Sequence, residues 1–189
     1  APAMEIHWIP QDTPGSLGVS RRPPGGEEME AVLVSNLGYV DRVITLLEAE
    51  EAERLGIAGE AAVCKAHGVA FDNLPVPDHD VPPDVAAFDR LVKRLRKRLE
   101  AGERMVIHCN AGLGRAPTLA CCLLVAGGLH PDEAVLRVGA ARGRTVPEMD
   151  SQYAFIHAFA ERQAAAAARP CCSISLWALL WLSLSNSSA

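Results

Sequence analysis

The chain has 189 residues, 49% of them hydrophobic, and a formal net charge of −5 at pH 7. That length and composition suffice for one sizeable core, and the negative balance argues against general binding to nucleic acid or to anionic membranes. The six cysteines lack zinc-ligand spacing: Cys121-Cys122 and Cys171-Cys172 are adjacent pairs, and Cys64 and Cys109 stand alone.

Ala1-Pro2-Ala3 precede Met4, and no signal-peptide pattern is visible. Ile6-His7-Trp8-Ile9 reads as a short edge strand, and 10–26 as a loop rich in proline and glycine. A helix is predicted from Glu28 to Asn36, closed by Gly38, and a buried strand within 39–47. Residues 48–67 read as one or two helices broken near Gly56 and Gly59. Val69-Ala70-Phe71 is an apolar strand leading into the proline-rich loop Pro75-Val76-Pro77-Asp78-His79-Asp80-Val81-Pro82-Pro83.

Asp84 is placed to cap a helix running to about Ala101, with Val85, Phe88, Leu91, Val92, Leu95 and Leu99 on one side. Its basic residues, Arg90, Lys93, Arg94, Arg96, Lys97 and Arg98, mostly cover the other side and read first as a solvated face, with a surface for an acidic partner the weaker reading. Met105-Val106-Ile107 is a short buried strand, and 116–126 a helix with proline in its first turn. Pro131 opens another helix through Ala141, with Asp132 and Glu133 favouring its dipole. On a last helix, Gln152, Phe155, Ile156 and Phe159 share one stripe. Strands alternating with helices predict a single α/β domain over 4–163, with a central mixed, mostly parallel sheet flanked by helices. Residues 164–189 read as a tail outside that domain: the apolar run 174–184 is far short of the ~20 residues that span a bilayer.

The functional signal is His108-Cys109-Asn110-Ala111-Gly112-Leu113-Gly114-Arg115. It lies between a strand end and a helix start, where unpaired backbone N–H groups and the helix dipole favour an anion. Gly112 and Gly114 let the backbone curl so that several N–H groups converge. A helix N-terminus and a nearby cation stabilise a thiolate, which makes Cys109 a nucleophile for phosphorus. Arg115 can grip two phosphate oxygens with its planar fork and stabilise charge during transfer. With positive potential supplied this way, no metal or other cofactor is required. Such a thiolate needs a reducing environment, so an intracellular, cytoplasmic location is expected.

His-Cys-five-Arg resembles the signature of the cysteine-dependent tyrosine and dual-specificity phosphatases. The longer run through Ala120-Cys121-Cys122-Leu123-Leu124 is similar to the kinase-associated phosphatase subgroup, a similarity extending from about Trp8 to about Phe159. The resemblance implies a phosphocysteine intermediate on Cys109 and phosphate binding by residues 110–115. It implies a general acid on the proline-rich loop, where the family's Pro-x-x-Asp matches Pro75–Asp78; Asp78 is the first choice and Asp80 the second. His108 and Gln152 are supporting candidates, and in the family a glutamine near 152 can position the attacking water. Cys64 is read as a core cysteine, with a protective disulfide to Cys109 the weaker reading.

One position departs from the family pattern. After the arginine the family usually carries serine or threonine, whose hydroxyl helps the thiolate leave; here it is Ala116, with Thr118 two residues on. The expected substrate is a phosphorylated protein, on tyrosine and/or serine/threonine. A phosphoinositide is less favoured, because residues 110–114 include no lysine. Gly-Arg-Ala-Pro also resembles plant glucan phosphatases, which makes a phosphoglucan the runner-up. A module that binds a phosphorylated partner without turning it over is the reading from a different class. Rhodanese-like sulfur transfer fits the Cys-five-Arg spacing less well.

Overall fold

The computed structural model describes residues 4–168. Five strands, β1 (His7–Ile9), β2 (Ser16–Arg21), β3 (Arg42–Thr45), β4 (Ala70–Asn73) and β5 (Arg104–Cys109), form one sheet in the order β1-β2-β5-β3-β4. Only the β1–β2 pair is antiparallel. β5 is central, which is why Met105, Val106 and Ile107 form an unbroken apolar run, buried on both faces.

Among the described residues seven helices accompany the sheet: α1 (Glu28–Leu37), α2 (Ala49–Arg54), α3 (Glu60–Ala66), α4 (Val85–Glu100), α5 (Arg115–Ala126), α6 (Pro131–Arg142) and α7 (Asp150–Ala168). α5 is the hub, packed against β5, β2, α4, α6 and α7, whereas α1 and α3 pack on each other and α3 on β4. That position explains α5's composition: every residue from Arg115 to Val125 is buried, so no polar face is needed. α4 is amphipathic: Asp84 accepts from the Ala87 N–H at 2.8 Å, and Phe88, Leu91, Val92, Leu95 and Leu99 are buried. Val85 is exposed rather than on the buried side, because it is the first residue of the helix and precedes the stripe's contact with the core.

The larger correction concerns residues 10–26, expected to be a loop throughout. Ser16–Arg21 is instead β2, hydrogen-bonded in parallel to β5. Leu17 and Val19 are completely buried, and Gly18 is a packing requirement rather than a breaker. A Cβ on Gly18 would stand 2.5 Å from Ile6 Cγ2 and 3.1 Å from the Trp8 ring. α7 continues through the alanine run to Ala168 with exposed side chains. The apolar run 174–184 and Cys171-Cys172 lie outside the described residues. No helix among the described residues is long and apolar enough to cross a membrane.

The four parallel strands end on one edge of the sheet, the usual place for a site in such a fold. β5 ends in Cys109, β2 beside it in Arg21, β3 in Thr45 opposite His108, and β4 runs on into the proline-rich loop.

Candidate active site

Residues 110–114 turn the chain from β5 into α5, and the surrounding framework fixes which way each peptide faces. The Asn110 carbonyl accepts from the Arg22 N–H at 3.2 Å. The Ala111 and Gly112 carbonyls both accept from Arg142, through Nη2 and Nε at 3.0 Å each. The Leu113 carbonyl accepts from the Glu148 N–H at 3.1 Å, and that of Gly114 from the Thr118 N–H at 3.0 Å. Every carbonyl in the loop is thus held by the framework. The amides of Ala111, Gly112, Leu113 and Gly114 donate to no group among the described residues. Carbonyls engaged outward and amides left over make an anion cradle.

Glycine is needed where the loop is tightest. Gly112 has φ +71°, and a Cβ there would lie 2.5 Å from the Ser20 carbonyl oxygen on β2. At Gly114 the neighbour is a side chain: a Cβ would stand 2.9 Å from either end of the Gln152 amide.

Arg115 is 3% exposed. Its Nη1 donates to Glu51 Oε2 at 2.7 Å and to the Val76 carbonyl at 2.9 Å, while Nη2 donates to Glu51 Oε1 at 3.0 Å. Nη2 also lies 2.9 Å from Asp78 Oδ1. Burial alone would lower the guanidinium's pKa, but the Glu51 bond and the charges of Cys109, Glu51 and Asp78 hold it above the ordinary arginine value. Glu51 is itself buried, so the two form a fork-on-carboxylate pair that fixes where Arg115 points.

A second buried pair lies beneath the nucleophile. His108 is fully buried and its Nε2 lies 2.8 and 2.9 Å from the two oxygens of Glu60, at the start of α3. A carboxylate only accepts, so Nε2 carries the hydrogen of that contact. The other ring nitrogen lies 3.4 Å from the Cys109 carbonyl oxygen. Cys109 is 3% exposed and lies in the chain between His108, bonded to Glu60, and Arg115, paired with Glu51.

The two aspartates of the proline-rich loop are used differently. Val76 ties the loop to the sheet, its N–H donating to the Leu46 carbonyl at 3.0 Å. Two residues on, Asp78 reaches Arg115 with its side chain half exposed, and His79 follows at φ +57°. Asp80 turns back on its own loop, where Oδ1 accepts from the Val81 N–H at 2.7 Å. The Asp80 carbonyl accepts from Gln152 Nε2 at 3.1 Å, which ties the loop to α7. Gln152 is fully buried, and its Oε1 has no hydrogen-bond partner among the described residues.

Ala116 is fully buried and brings no hydroxyl to the cradle. The Thr118 hydroxyl is engaged elsewhere, donating to the Gly114 carbonyl at 2.9 Å. Cys64 and Cys109 are both free cysteines. Burial, with a smaller contribution from the charge of Glu60, pushes the Cys64 thiol up to about 12; burial pushes Cys121 up to about 12 and Cys122 well above the ordinary value. These thiols resist ionisation. No cluster of three or more His, Cys, Asp or Glu suited to a metal ion occurs among the described residues.

The structure therefore brings Cys109, residues 110–115, His108, Asp78 and Gln152 to one sheet edge, with Asp80 facing its own backbone. The sequence reading did not include Glu51, Glu60 or Arg142. They lie in helices far along the chain, and no local pattern distinguishes Glu51 from Glu48, Glu50 or Glu53.

Comparison with known proteins places the chain in a family and a fold. Residues 6–170 match the family model described as Swiss Army Knife protein, DSP-PTPase phosphatase domain. Cyclin-dependent kinase inhibitor 3 of Rattus norvegicus is 29% identical over 101 residues, which cover 52% of this chain and 47% of the relative. The chain spans about half the length of such curated relatives. A crystal structure of kinase associated phosphatase, with serine replacing its catalytic cysteine, superposes with a TM-score of 0.79 at 19% identity, covering 87% of this chain and 98% of that one. Tk-PTP in its active form superposes with a TM-score of 0.67 at 26% identity, covering 78% and 93%.

Proposed function

The chain belongs to the DSP-PTPase phosphatase family, and on that premise we propose that it hydrolyses phosphoprotein monoesters, on tyrosine and/or serine/threonine, through a phosphocysteine on Cys109. The observation carrying this reading is the loop from Asn110 to Gly114, with every carbonyl held by the framework and four amides left for an anion, between the nucleophile and Arg115.

In the first step the Cys109 sulfur attacks phosphorus, a P–S bond forms, and the bond to the leaving oxygen breaks. Arg115 and the loop amides hold the phosphoryl oxygens throughout. Asp78, 2.9 Å from the Arg115 fork, gives its proton to the leaving oxygen. In the second step water attacks the phosphocysteine, its proton passes to Asp78, and inorganic phosphate leaves with the thiolate restored. Gln152 fits a positioning role, because it joins the acid loop and the cradle through its contacts with Asp80 and Gly114.

A second reading is favoured by one observation. No hydroxyl stands at position 116, and that of Thr118 is bonded to Gly114, so departure of the sulfur lacks the usual donor. The intermediate then persists, and the chain acts as a trap for phosphorylated partners.

Hydrolysis of p-nitrophenyl phosphate separates the readings. Multiple turnovers, abolished in Cys109→Ser, support the phosphatase. A burst of one equivalent followed by a slow phase supports the trap. Neither turnover nor burst would contradict both.

A further inference from the structure

α4 carries six of the chain's 18 lysines and arginines, although the protein as a whole is net negative. These six fall on two faces of the helix. Arg94 donates to Asp72 at 2.8 Å, and Arg98 lies 3.8 Å from Glu103. The other four, Arg90, Lys93, Arg96 and Lys97, line a groove of about 460 Å³ between α4, the end of α5 and α7. Of these, Arg96 bonds Glu100 at 2.8 Å, while Arg90, Lys93 and Lys97 are exposed with no acidic partner among the described residues. Asp89, the one acid lining the groove, is engaged by both Nε and Nη2 of Arg162 at 3.0 Å.

A convex basic helix face is ordinarily only solvated, but here the cations stand over a concave apolar floor. Val92, Ala126 and Ala166 line it, and Ala166 belongs to the exposed alanine run of α7. Arg96 lies against Gly127, where an added Cβ would run into its guanidinium. The occupant that satisfies both features carries carboxylates on one side and small apolar groups on the other.

We propose that this groove docks an acidic, amphipathic segment of a protein partner. It lies at the far end of α5 from Arg115, roughly 16 Å along the helix, so a partner held there could still present a phosphorylated residue to Cys109. Only the identification of that partner as a substrate rests on the phosphatase reading. Binding itself requires no turnover.

The test uses the full chain with Cys109→Ser and fluorescence anisotropy of a labelled helical peptide bearing glutamates on one face and alanines on the other. The peptide binds, binding weakens as salt is raised, and the triple variant Arg90→Glu/Lys93→Glu/Lys97→Glu weakens it about tenfold or more. Ala166→Trp, which fills the groove without touching a charge, weakens it as well. In the background with Cys109 intact, both sets of substitutions leave p-nitrophenyl phosphate hydrolysis unchanged, whether that activity is fast, slow or absent. The proposal is overturned if the peptide does not bind, if the triple variant binds it equally well, or if a glutamine-for-glutamate peptide binds as tightly. Binding to phosphatidylserine vesicles without peptide binding would also overturn it and assign the face to a membrane.

Discussion

The phosphate cradle and the acid loop meet at Arg115 but are built in opposite ways. Around the cradle nearly everything is buried: Arg115 and Cys109 are each 3% exposed, and all five loop carbonyls have partners. In the acid loop, the Asp78 and His79 side chains are 51% and 60% exposed, and the segment is tethered mainly through Val76 and the Asp80 carbonyl. The contrast follows from the chemistry each must do. Charge stabilisation in a transition state requires donors already in position, so the cradle is over-determined. A proton donor must reach substrates of varying shape, so its loop can be exposed and lightly held.

The sharpest way to break that contrast is to remove the support of the cradle. Glu51→Ala takes away the carboxylate holding both terminal nitrogens of Arg115 and leaves a buried guanidinium partly unpaired. Catalytic efficiency should fall by about 10²–10³-fold and stability by about 3–5 kcal/mol. Kinetics on an aryl phosphate and urea unfolding read the two effects. A variant with full activity would show that Arg115 needs no such support.

Substitutions in the acid loop should change rate without changing stability. Asp78→Ala is expected to lower kcat by about 10²-fold. Asp80→Ala should change it less than about twofold, because its side chain only closes a turn. Equal effects of the two would undo the assignment of the acid.

Gln152→Ala probes the tether between the two regions. It removes the bond to the Asp80 carbonyl, so kcat should fall several-fold while the apparent affinity of the cradle for inorganic phosphate is unchanged. A loss of phosphate affinity instead would place Gln152 with the cradle rather than with the acid loop.

How much of this was legible in the sequence follows the same division. Cys109, Gly112, Gly114 and Arg115 act within one turn of chain, so their spacing carries their geometry. The Pro-x-x-Asp of the acid loop is equally local. Glu51 and Glu60 pair with residues 64 and 48 positions away, and those contacts exist only once the fold brings α2 to Arg115 and α3 to His108. β2 was hidden for a different reason: Pro14, Gly15 and Gly18 punctuate it like a loop, while the informative feature is the alternation of Leu17 with Val19. The six cations of α4 were visible, but the groove that gathers four of them depends on α7 and the end of α5.

The smallest expected effect lies far from both loops. The hydrogen bond from Arg104 holds the Asp41 carboxyl below the ordinary carboxylate range. A depressed folded value means that the charged pair stabilises the fold above the unfolded value near ~3.9, and that this contribution is lost as pH falls through the folded one. Half-exposed and screened, it is expected to contribute less than ~1 kcal/mol. Asp41→Asn should therefore lower Tm slightly at neutral pH, with the difference closing in acid; a difference that widened in acid would reverse the sign.

The central claim is that phosphorus is transferred to Cys109, and mass spectrometry of acid-quenched protein tests it most directly. After a brief exposure to p-nitrophenyl phosphate, the peptide containing Cys109 should carry one added phosphoryl group. The adduct should accumulate further in Asp78→Ala, where water is not activated, and be absent in Cys109→Ser. Turnover with no phosphoryl group on that peptide, or with the group on another residue, would contradict the account.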